Sequence, residues 1–254
     1  EDWEYFCKTM AIILDGSIAA ASIRTEIAEA VSKSVAQGNR PPGLVAILVG
    51  EDGASQTYVG AKKTACDEVG FAGDVRRFAA DITEKELLAE IDKINQDETS
   101  DESGVKPATP YGITLLMKHY GIDAAGKHVV VVGRSNIVGR PMSMLLSAAA
   151  PYGNATVTLC HSRTKDLASF TRMADILVVA LGKPGFVTEE MVKEGAVVID
   201  VGTTRVDDAT RKSGWRLRGD VDYNAVLEKA SAITPVPKGV GPMTITGLMM
   251  NTLE

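Results

Sequence analysis

Four consecutive valines, Val129 to Val132, run straight into Gly133-Arg134-Ser135-Asn136-Ile137-Val138-Gly139-Arg140-Pro141. A short aliphatic run of this kind is expected to be a strand buried on both faces, and a proline suited to the first helical turn marks the start of a helix. Strand-turn-helix units return to the sheet by a crossover, which makes neighbouring strands parallel and restricts the chain to the α/β class. The unit recurs. Apolar runs at 156–160, 176–180 and 196–201 alternate with helical stretches at 141–149, 166–173 and 188–194, and a helix around Ile113 to Tyr120 precedes the series. Residues 107–234 are therefore expected to form a doubly wound α/β domain.

The preceding part of the chain has the same grammar but stops early. Asp15 is a candidate N-cap for a helix carrying Ile18, Ile23, Ile27, Val31 and Val35 and ending near Gly38. Leu44 to Val49 reads as a strand buried on both faces, residues 54–69 as a helix closed by Gly70, and 74–79 as a weaker strand. Thr83-x-x-Glu86 is a capping box opening a helix with an apolar stripe of Leu87, Leu88, Ile91 and Ile94. A buried strand should come next, yet Gln96 to Ser103 reads QDETSDES. Residues 10–106 with 235–254 are thus expected to form a second, smaller α/β domain that lacks a segment near 97–106. Residues 1–9, ahead of Met10, read as a leader outside the fold.

Composition narrows the partners. With 27 Lys and Arg against 33 Asp and Glu the net charge is −6, leaving no surplus to neutralise nucleic acid or an anionic membrane. No apolar stretch approaches the roughly 20 residues that span a bilayer. Cys7, Cys66 and Cys160 are scattered without a CxxC pair, so neither disulfides nor zinc are expected and a reducing, cytoplasmic setting is. His119, His128 and His161 have no ligand spacing, and no metal site is expected.

The turn after the valines aims backbone N–H groups and a helix dipole at an anion, usually a pyrophosphate, as in Rossmann-type domains. Its spacing is Gly-x5-Gly, so a plain structural turn is the competing reading. An NAD enzyme places Asp or Glu at the end of the next strand to hold the ribose, whereas this chain has Cys160-His161-Ser162-Arg163-Thr164. Ser162 and Arg163, with Arg134, suit a 2′-phosphate, which points to NADP. In the smaller domain Tyr58 and Lys62 lie four apart, on one helix face, adjacent to a core-facing stripe of Val59, Cys66 and Val69. The stretch Thr234-Pro235-Val236-Pro237-Lys238-Gly239-Val240-Gly241-Pro242-Met243-Thr244 can clamp a ligand edge ahead of a terminal helix, or simply connect domains.

Tyr58-Val59-x-x-Lys62, Pro107-Ala-Thr-Pro-Tyr-Gly-Ile113, Gly133-Arg134-Ser135-x-x-Val138-Gly139-x-Pro141 and Thr234-Pro-Val-Pro-x-Gly-Val-Gly-Pro-Met-Thr244 together resemble the bifunctional methylenetetrahydrofolate dehydrogenase/methenyltetrahydrofolate cyclohydrolases, from about Met10 to the end. The resemblance implies two domains with an active-site cleft between them, and a role in one-carbon metabolism and purine biosynthesis. It implies NADP-dependent oxidation of methylenetetrahydrofolate followed by hydrolysis to formyltetrahydrofolate, in a homodimer. By the same resemblance Lys62 is catalytic, Tyr58 packs on the folate, and Gly133, Arg134, Ser135, Ser162 and Arg163 bind NADP. Thr203 then lies near the nicotinamide, and Pro235, Val236, Pro237, Gly239, Val240, Gly241, Pro242 and Met243 border the substrate. A lysine desolvated in a cleft can activate water and then protonate a nitrogen.

Three departures stand out. Lys238 replaces a usual glycine and Ala108 a usual cysteine. The segment absent between Asp97 and Lys106 supplies the family with a strand, a glutamine beside the lysine and an aspartate that holds the pterin. Either the molecule carries several tens of further residues there or the chain is a degenerate nucleotide- or folate-binding protein. A different two-domain NAD(P)-dependent dehydrogenase is the other reading.

Overall fold

The structure is a computed structural model and describes residues 10–95 and 105–254. Residues 1–9 and the polar stretch from Gln96 to Ser103, on which the leader and missing-strand expectations fall, lie outside the described residues. In chain order the elements are β1 (Ile12–Ile13), α1 (Gly16–Ala36), β2 (Gly43–Val49), α2 (Gly53–Val69), β3 (Ala72–Phe78) and α3 (Glu84–Asn95). Then follow α4 (Ala108–His119), β4 (His128–Val132), α5 (Gly139–Ser147), β5 (Thr156–Cys160), α6 (Leu167–Thr171), β6 (Ile176–Val179) and β7 (Val197–Asp200). A hairpin of β8 (Thr204–Asp207) and β9 (Trp215–Arg218), then α7 (Tyr223–Leu227), β10 (Ala232–Ile233) and α8 (Val240–Leu253) complete the chain. Among the described residues no helix is long and apolar enough to cross a membrane.

The chain divides into two compact units. One comprises the chain up to Ala20 and Pro107–Thr244, the other Ala21–Lys106 and Ile245–Glu254. The boundaries differ from the expected 10–106 plus 235–254 and 107–234 because β1 pairs in parallel with β10, Ile12 opposite Ala232, which ties the first described residues to the larger sheet. The stretch from Pro235 to Thr244 stays with that unit for a similar reason. A Cβ on Gly16 would lie 1.8 Å from the Gly239 carbonyl oxygen, and the Gly16 N–H donates to the Lys238 carbonyl at 2.8 Å.

The larger unit contains a six-stranded parallel sheet in the order β1-β10-β7-β6-β4-β5. After β5 the chain crosses back over β4 to β6, so the switch in strand order falls between β4 and β6, where open α/β sheets receive ligands at their carboxyl ends. The valines of β4 and the whole of β6 are buried, as continuous apolar runs in a doubly covered sheet require. The expected helix at 188–194 is only a 3-10 turn, Glu189–Met191. The β8–β9 hairpin was not anticipated. Its arms, Thr-Arg-Val-Asp and Trp-Arg-Leu-Arg, mix apolar with charged residues, and it holds together by antiparallel pairing and by the Arg205 guanidinium stacked 4.3 Å from the Trp215 ring centroid.

Two of the sequence motifs meet in this unit. Gly112, in α4, lies so close to the first turn of α8 that a Cβ there would sit 2.2 Å from the Met243 carbonyl oxygen, and Thr109 Oγ1 shares a 3.0 Å hydrogen bond with Thr244 Oγ1. The glycine of the Pro-Tyr-Gly-Ile segment is therefore a packing requirement of the Pro-Met-Thr segment.

The carboxyl edge of the sheet is fastened by two buried carboxylates. Asp200, ending β7, accepts N–H bonds from Gly202 (2.9 Å) and Asp220 (3.0 Å) on Oδ1 and from Val221 (2.9 Å) on Oδ2. Asp220 accepts from Leu181 (2.6 Å) and Gly182 (2.9 Å) on Oδ2 and from Lys183 (2.6 Å) on Oδ1, and so fixes the loop after β6. Gly202 and Gly219 are obligatory here, since a Cβ on either would come within 2.4 Å of the facing carboxyl group. Burial pushes Asp200 up from 3.8 to about 6, against the three N–H bonds that favour its ionised form.

The smaller unit pairs β2 with β3 in parallel, from Gly43 opposite Ala72 to Val49 opposite Phe78. The expectation that β2 is buried on both faces is corrected: of its residues only Leu48 is buried, because among the described residues β3 is the only strand that pairs with it. Helix α2 packs Val59, Ala65, Cys66 and Val69 into the core, capped by Asp52, whose side chain accepts from the Ser55 N–H, and by Gly70 at φ 80°. The Thr83–Glu86 capping box is present, with Thr83 N–H donating to Glu86 at 3.0 Å and Glu86 N–H to Thr83 Oγ1 at 3.3 Å. The α3 stripe is poorly covered, with Leu88 52% exposed.

Replacing Gly112 with alanine is expected to destabilise the protein by about 1–3 kcal/mol, because backbone must move to admit the methyl group; the denaturant midpoint measures it. For Asp200 the folded state holds its proton to a higher pH than the unfolded chain does. Its contribution to stability therefore falls as pH rises from about 4 to about 6, by about 3 kcal/mol, and is fully lost above that window. Urea titrations across this range, with a carboxyl 13C titration showing a midpoint near 6 for Asp200, check it.

Candidate active site

The nucleotide candidates sit where two adjacent strands end. β4 and β5 pair in register with Val132 opposite Cys160, and the ladder continues one step as the Gly133 N–H donates to the Cys160 carbonyl at 2.9 Å. This brings Gly133-Arg134-Ser135 beside His161-Ser162-Arg163. Gly133 has φ 120°, and a Cβ on it would lie 2.2 Å from the Ala180 carbonyl oxygen; a Cβ on Gly139 would lie 1.9 Å from the Gly133 carbonyl oxygen. The two glycines thus close the turn on itself and press it against the end of β6.

Within the turn the Ser135 hydroxyl accepts from the Val138 N–H at 3.0 Å, and the Arg140 guanidinium donates to Asn136 Oδ1 at 3.2 Å. Among the described residues no protein group accepts the backbone N–H of Arg134, Ser135, Asn136 or Ile137. Four backbone donors ahead of a helix N-terminus fit a diphosphate. At the end of β5, Thr164 Oγ1 accepts the His161 N–H at 2.9 Å, and His161 Nδ1 accepts the Arg163 N–H at 3.1 Å. That tight turn leaves Ser162 and Arg163 exposed, with no carboxylate from Cys160 to Lys165. The nearby Asp166 is committed to capping α6 through Ser169. The arrangement suits an extra phosphate rather than bare ribose hydroxyls.

Thr203 is exposed just after β7, in the same sheet but two strands from β4. The Pro235–Met243 stretch starts from Thr234, whose Oγ1 accepts the Asp200 N–H at 2.7 Å, so the buried Asp200 assembly anchors its root. Val236-Pro237 is cis, and Lys238 has φ 82°. The sequence pattern left Asp200 and Asp220 unremarked. Their only signal was an aspartate beside a glycine, as in Asp200-Val-Gly202 and Gly219-Asp220, too common to single out.

In the smaller unit Tyr58 and Lys62 share one face of α2, with Lys62 Nζ 4.6 Å from the Tyr58 ring centroid. Tyr58 is 42% exposed and burial of the rest pushes its phenol above the ordinary value, while Lys62 is half-buried. Val59, Ala65, Cys66 and Val69 of the same helix pack into the core beside them, so α2 holds this ring and amine on a fixed scaffold. Cys66, on the buried face, and Cys160, ending β5, are free; burial pushes both thiols up. No group of side chains among the described residues could hold a metal ion.

Residues 14–104 match the tetrahydrofolate dehydrogenase/cyclohydrolase catalytic domain, and residues 107–254 the NAD(P)-binding domain of the same family. The chain is 47% identical to the bifunctional protein FolD of Bacteroides thetaiotaomicron, covering 95% of this chain and 96% of that protein. It is 46% identical to that of Cytophaga hutchinsonii over 95% and 98%. Among solved structures, the FolD methylenetetrahydrofolate dehydrogenase/cyclohydrolase of Campylobacter jejuni superposes with a TM-score of 0.86 at 38% identity, covering 96% of this chain and 97% of that one. The Trypanosoma brucei enzyme, complexed with NADP cofactor and inhibitor, gives 0.86 at 34%, covering 96% of each. The alignment with the Bacteroides protein extends over 282 residues against 254 in this chain, so at least 28 residues of that relative have no counterpart here. A TM-score this high over both chains, with both domain types matched in order, shows that the chain belongs to the tetrahydrofolate dehydrogenase/cyclohydrolase family.

Proposed function

We propose that this protein oxidises methylenetetrahydrofolate to methenyltetrahydrofolate with NADP and hydrolyses the product to formyltetrahydrofolate. The observation that carries the cofactor half is the registered pair of strand ends, Gly133–Ser135 beside Ser162–Arg163, with open backbone donors, exposed cationic and hydroxyl groups and no carboxylate. In this reading the turn residues hold the diphosphate, Arg134, Ser162 and Arg163 hold the 2′-phosphate, and Thr203 lies toward the nicotinamide. When bound, NADP supplies a hydride acceptor for the methylene carbon.

The chain's own residues do the rest. Tyr58 offers a flat ring to the pterin, and Pro235 to Met243, rooted on Asp200, border the substrate. The methenyl product is a cation shared by two nitrogens, and its hydrolysis needs a proton moved. Lys62 Nζ takes a proton from the water that adds to the methenyl carbon, then returns it to the nitrogen released as the carbon–nitrogen bond breaks, while the hydroxyl of the adduct becomes the formyl carbonyl and gives its proton to solvent, the one proton released overall. Oxidation needs positioning rather than a base, so the two activities make different demands on Lys62. A cytoplasmic homodimer with no nucleic-acid or membrane partner completes the proposal, with 10–106 plus 235–254 contributing the folate side.

Replacing Lys62 with methionine is expected to lower cyclohydrolase turnover by about 100-fold or more while dehydrogenase turnover stays within about tenfold of the parent. Following methenyltetrahydrofolate absorbance in the two directions separates the steps, and survival of both activities would refute the assignment. Replacing Ser162 with aspartate places a charge against the 2′-phosphate. It is expected to lower kcat/KM with NADP by about tenfold or more relative to NAD, as kinetics with both cofactors will measure.

A further inference from the structure

The turn that ends β5 is closed on itself by one residue. The His161 N–H donates to Thr164 Oγ1 at 2.9 Å, its carbonyl accepts the Thr164 N–H at 2.8 Å, and its ring Nδ1 accepts the Arg163 N–H at 3.1 Å. The first two bonds use backbone groups of His161 that any residue but proline would supply, so only the third depends on the imidazole. A side chain that accepts the N–H two residues further on makes the geometry of an Asx turn, here with a ring nitrogen in place of the carboxamide oxygen. An accepting Nδ1 puts the ring hydrogen on Nε2, which has no partner among the described residues.

What the turn offers is a set of donors with no protein acceptor. Among the described residues nothing accepts from the Ser162 N–H, and neither the Ser162 hydroxyl nor the Arg163 guanidinium has a hydrogen-bond or ion-pair partner. Both residues are exposed, while His161 is half-buried against the end of the strand. An exposed turn left to itself samples several backbone conformations, and a ligand that needs one of them loses affinity to the ordering. The imidazole has two side-chain torsions and a rigid ring, so its bond to the Arg163 N–H removes that freedom before any ligand arrives.

We propose that His161 is a positioning residue for the choice between NADP and NAD: by holding the Arg163 N–H it keeps Ser162 and Arg163 in the one turn conformation that serves a 2′-phosphate. The inference rests on the cofactor reading above and deepens it, adding a residue that acts through its neighbours. The Arg163 backbone lies at the surface, so water replaces the lost acceptor when the ring is removed. The thermal midpoint is then expected to stay within about 3 °C of the parent, and the loss to fall on recognition of the phosphate.

The test is isothermal titration of the full chain, without folate, with adenosine 2′,5′-bisphosphate and with 5′-AMP, two ligands that differ by the 2′-phosphate alone. The parent is expected to bind the bisphosphate about tenfold or more tighter. His161→Leu is expected to shrink that ratio by about fivefold through the bisphosphate, with the affinity for 5′-AMP unchanged. His161→Asn, whose Oδ1 takes the place of Nδ1, is expected to restore the ratio to within about twofold of the parent, whereas His161→Gln, whose Oε1 lies where Nε2 does, is not. A ratio that leucine leaves unchanged, or that asparagine fails to restore, overturns the proposal. Rescue by glutamine in place of asparagine overturns it too, by assigning the ring to direct contact through Nε2. Equal loss of affinity for both ligands overturns it as well, since the turn has then lost more than its phosphate site. Each of these outcomes leaves the NADP reading standing. A parent that binds the two ligands equally overturns the NADP reading and this inference with it.

Discussion

Six backbone N–H groups converge on two buried carboxylates, three on Asp200 and three on Asp220, and the carboxyl edge of the larger sheet takes its shape from them. Loop backbone at this edge cannot satisfy itself by sheet pairing, and buried amides left without acceptors would each cost about 1–3 kcal/mol. An amide side chain could not replace either aspartate, since both oxygens of each accept an N–H and the amide nitrogen would face a donor. Through this pair the loop after β6, the turn after β7 and the root of the Pro235–Met243 stretch become one rigid rim. Residues exposed on that rim inherit their position from the carboxylates buried beneath it.

The elements that a periodic pattern can reveal were legible in the sequence. Val129–Val132 followed by a glycine turn and Pro141 reads as a buried strand entering a helix, and Gly70 and the Thr83–Glu86 pair mark helix ends by local hydrogen bonding alone, whereas the Asp52 cap passed unremarked. What escaped depends on partners distant in sequence. The hairpin from Thr204 to Arg218 has arms of only four residues, Thr-Arg-Val-Asp and Trp-Arg-Leu-Arg, whose alternation is too short to stand out, and it is held by the pairing of the two arms and by Arg205 stacking on Trp215. The attachment of Ile12–Ile13 to the larger sheet rests on two residues meeting Ala232–Ile233, beyond the reach of any local reading.

The candidate residues divide along the same line. The Gly133–Ser135 turn and the Ser162–Arg163 pair could be named from spacing because strand ends and turn glycines leave a local trace. Tyr58 and Lys62 could be placed on one helix face by their four-residue separation, but a helical lysine says nothing by itself, and family resemblance was needed to raise it above a solvated side chain. Asp200 and Asp220 left only the commonplace trace of a nearby glycine, since their importance lies in whose amides they collect. The half-exposed α3 stripe is where local pattern and observed packing part: its helix is specified, while the surface that would cover Leu88 is not among the described residues.

The two buried thiols give the molecule its own reporters. Cys66 lies on α2, the helix that also carries Tyr58 and Lys62, and Cys160 ends β5, the strand beside the Gly133 turn. With both sulfurs sealed from solvent and held in the unreactive protonated form, a thiol reagent can reach either one only when its neighbourhood opens. Labelling rates at these two positions therefore gauge the breathing of α2 and of the larger sheet separately, in the unaltered protein.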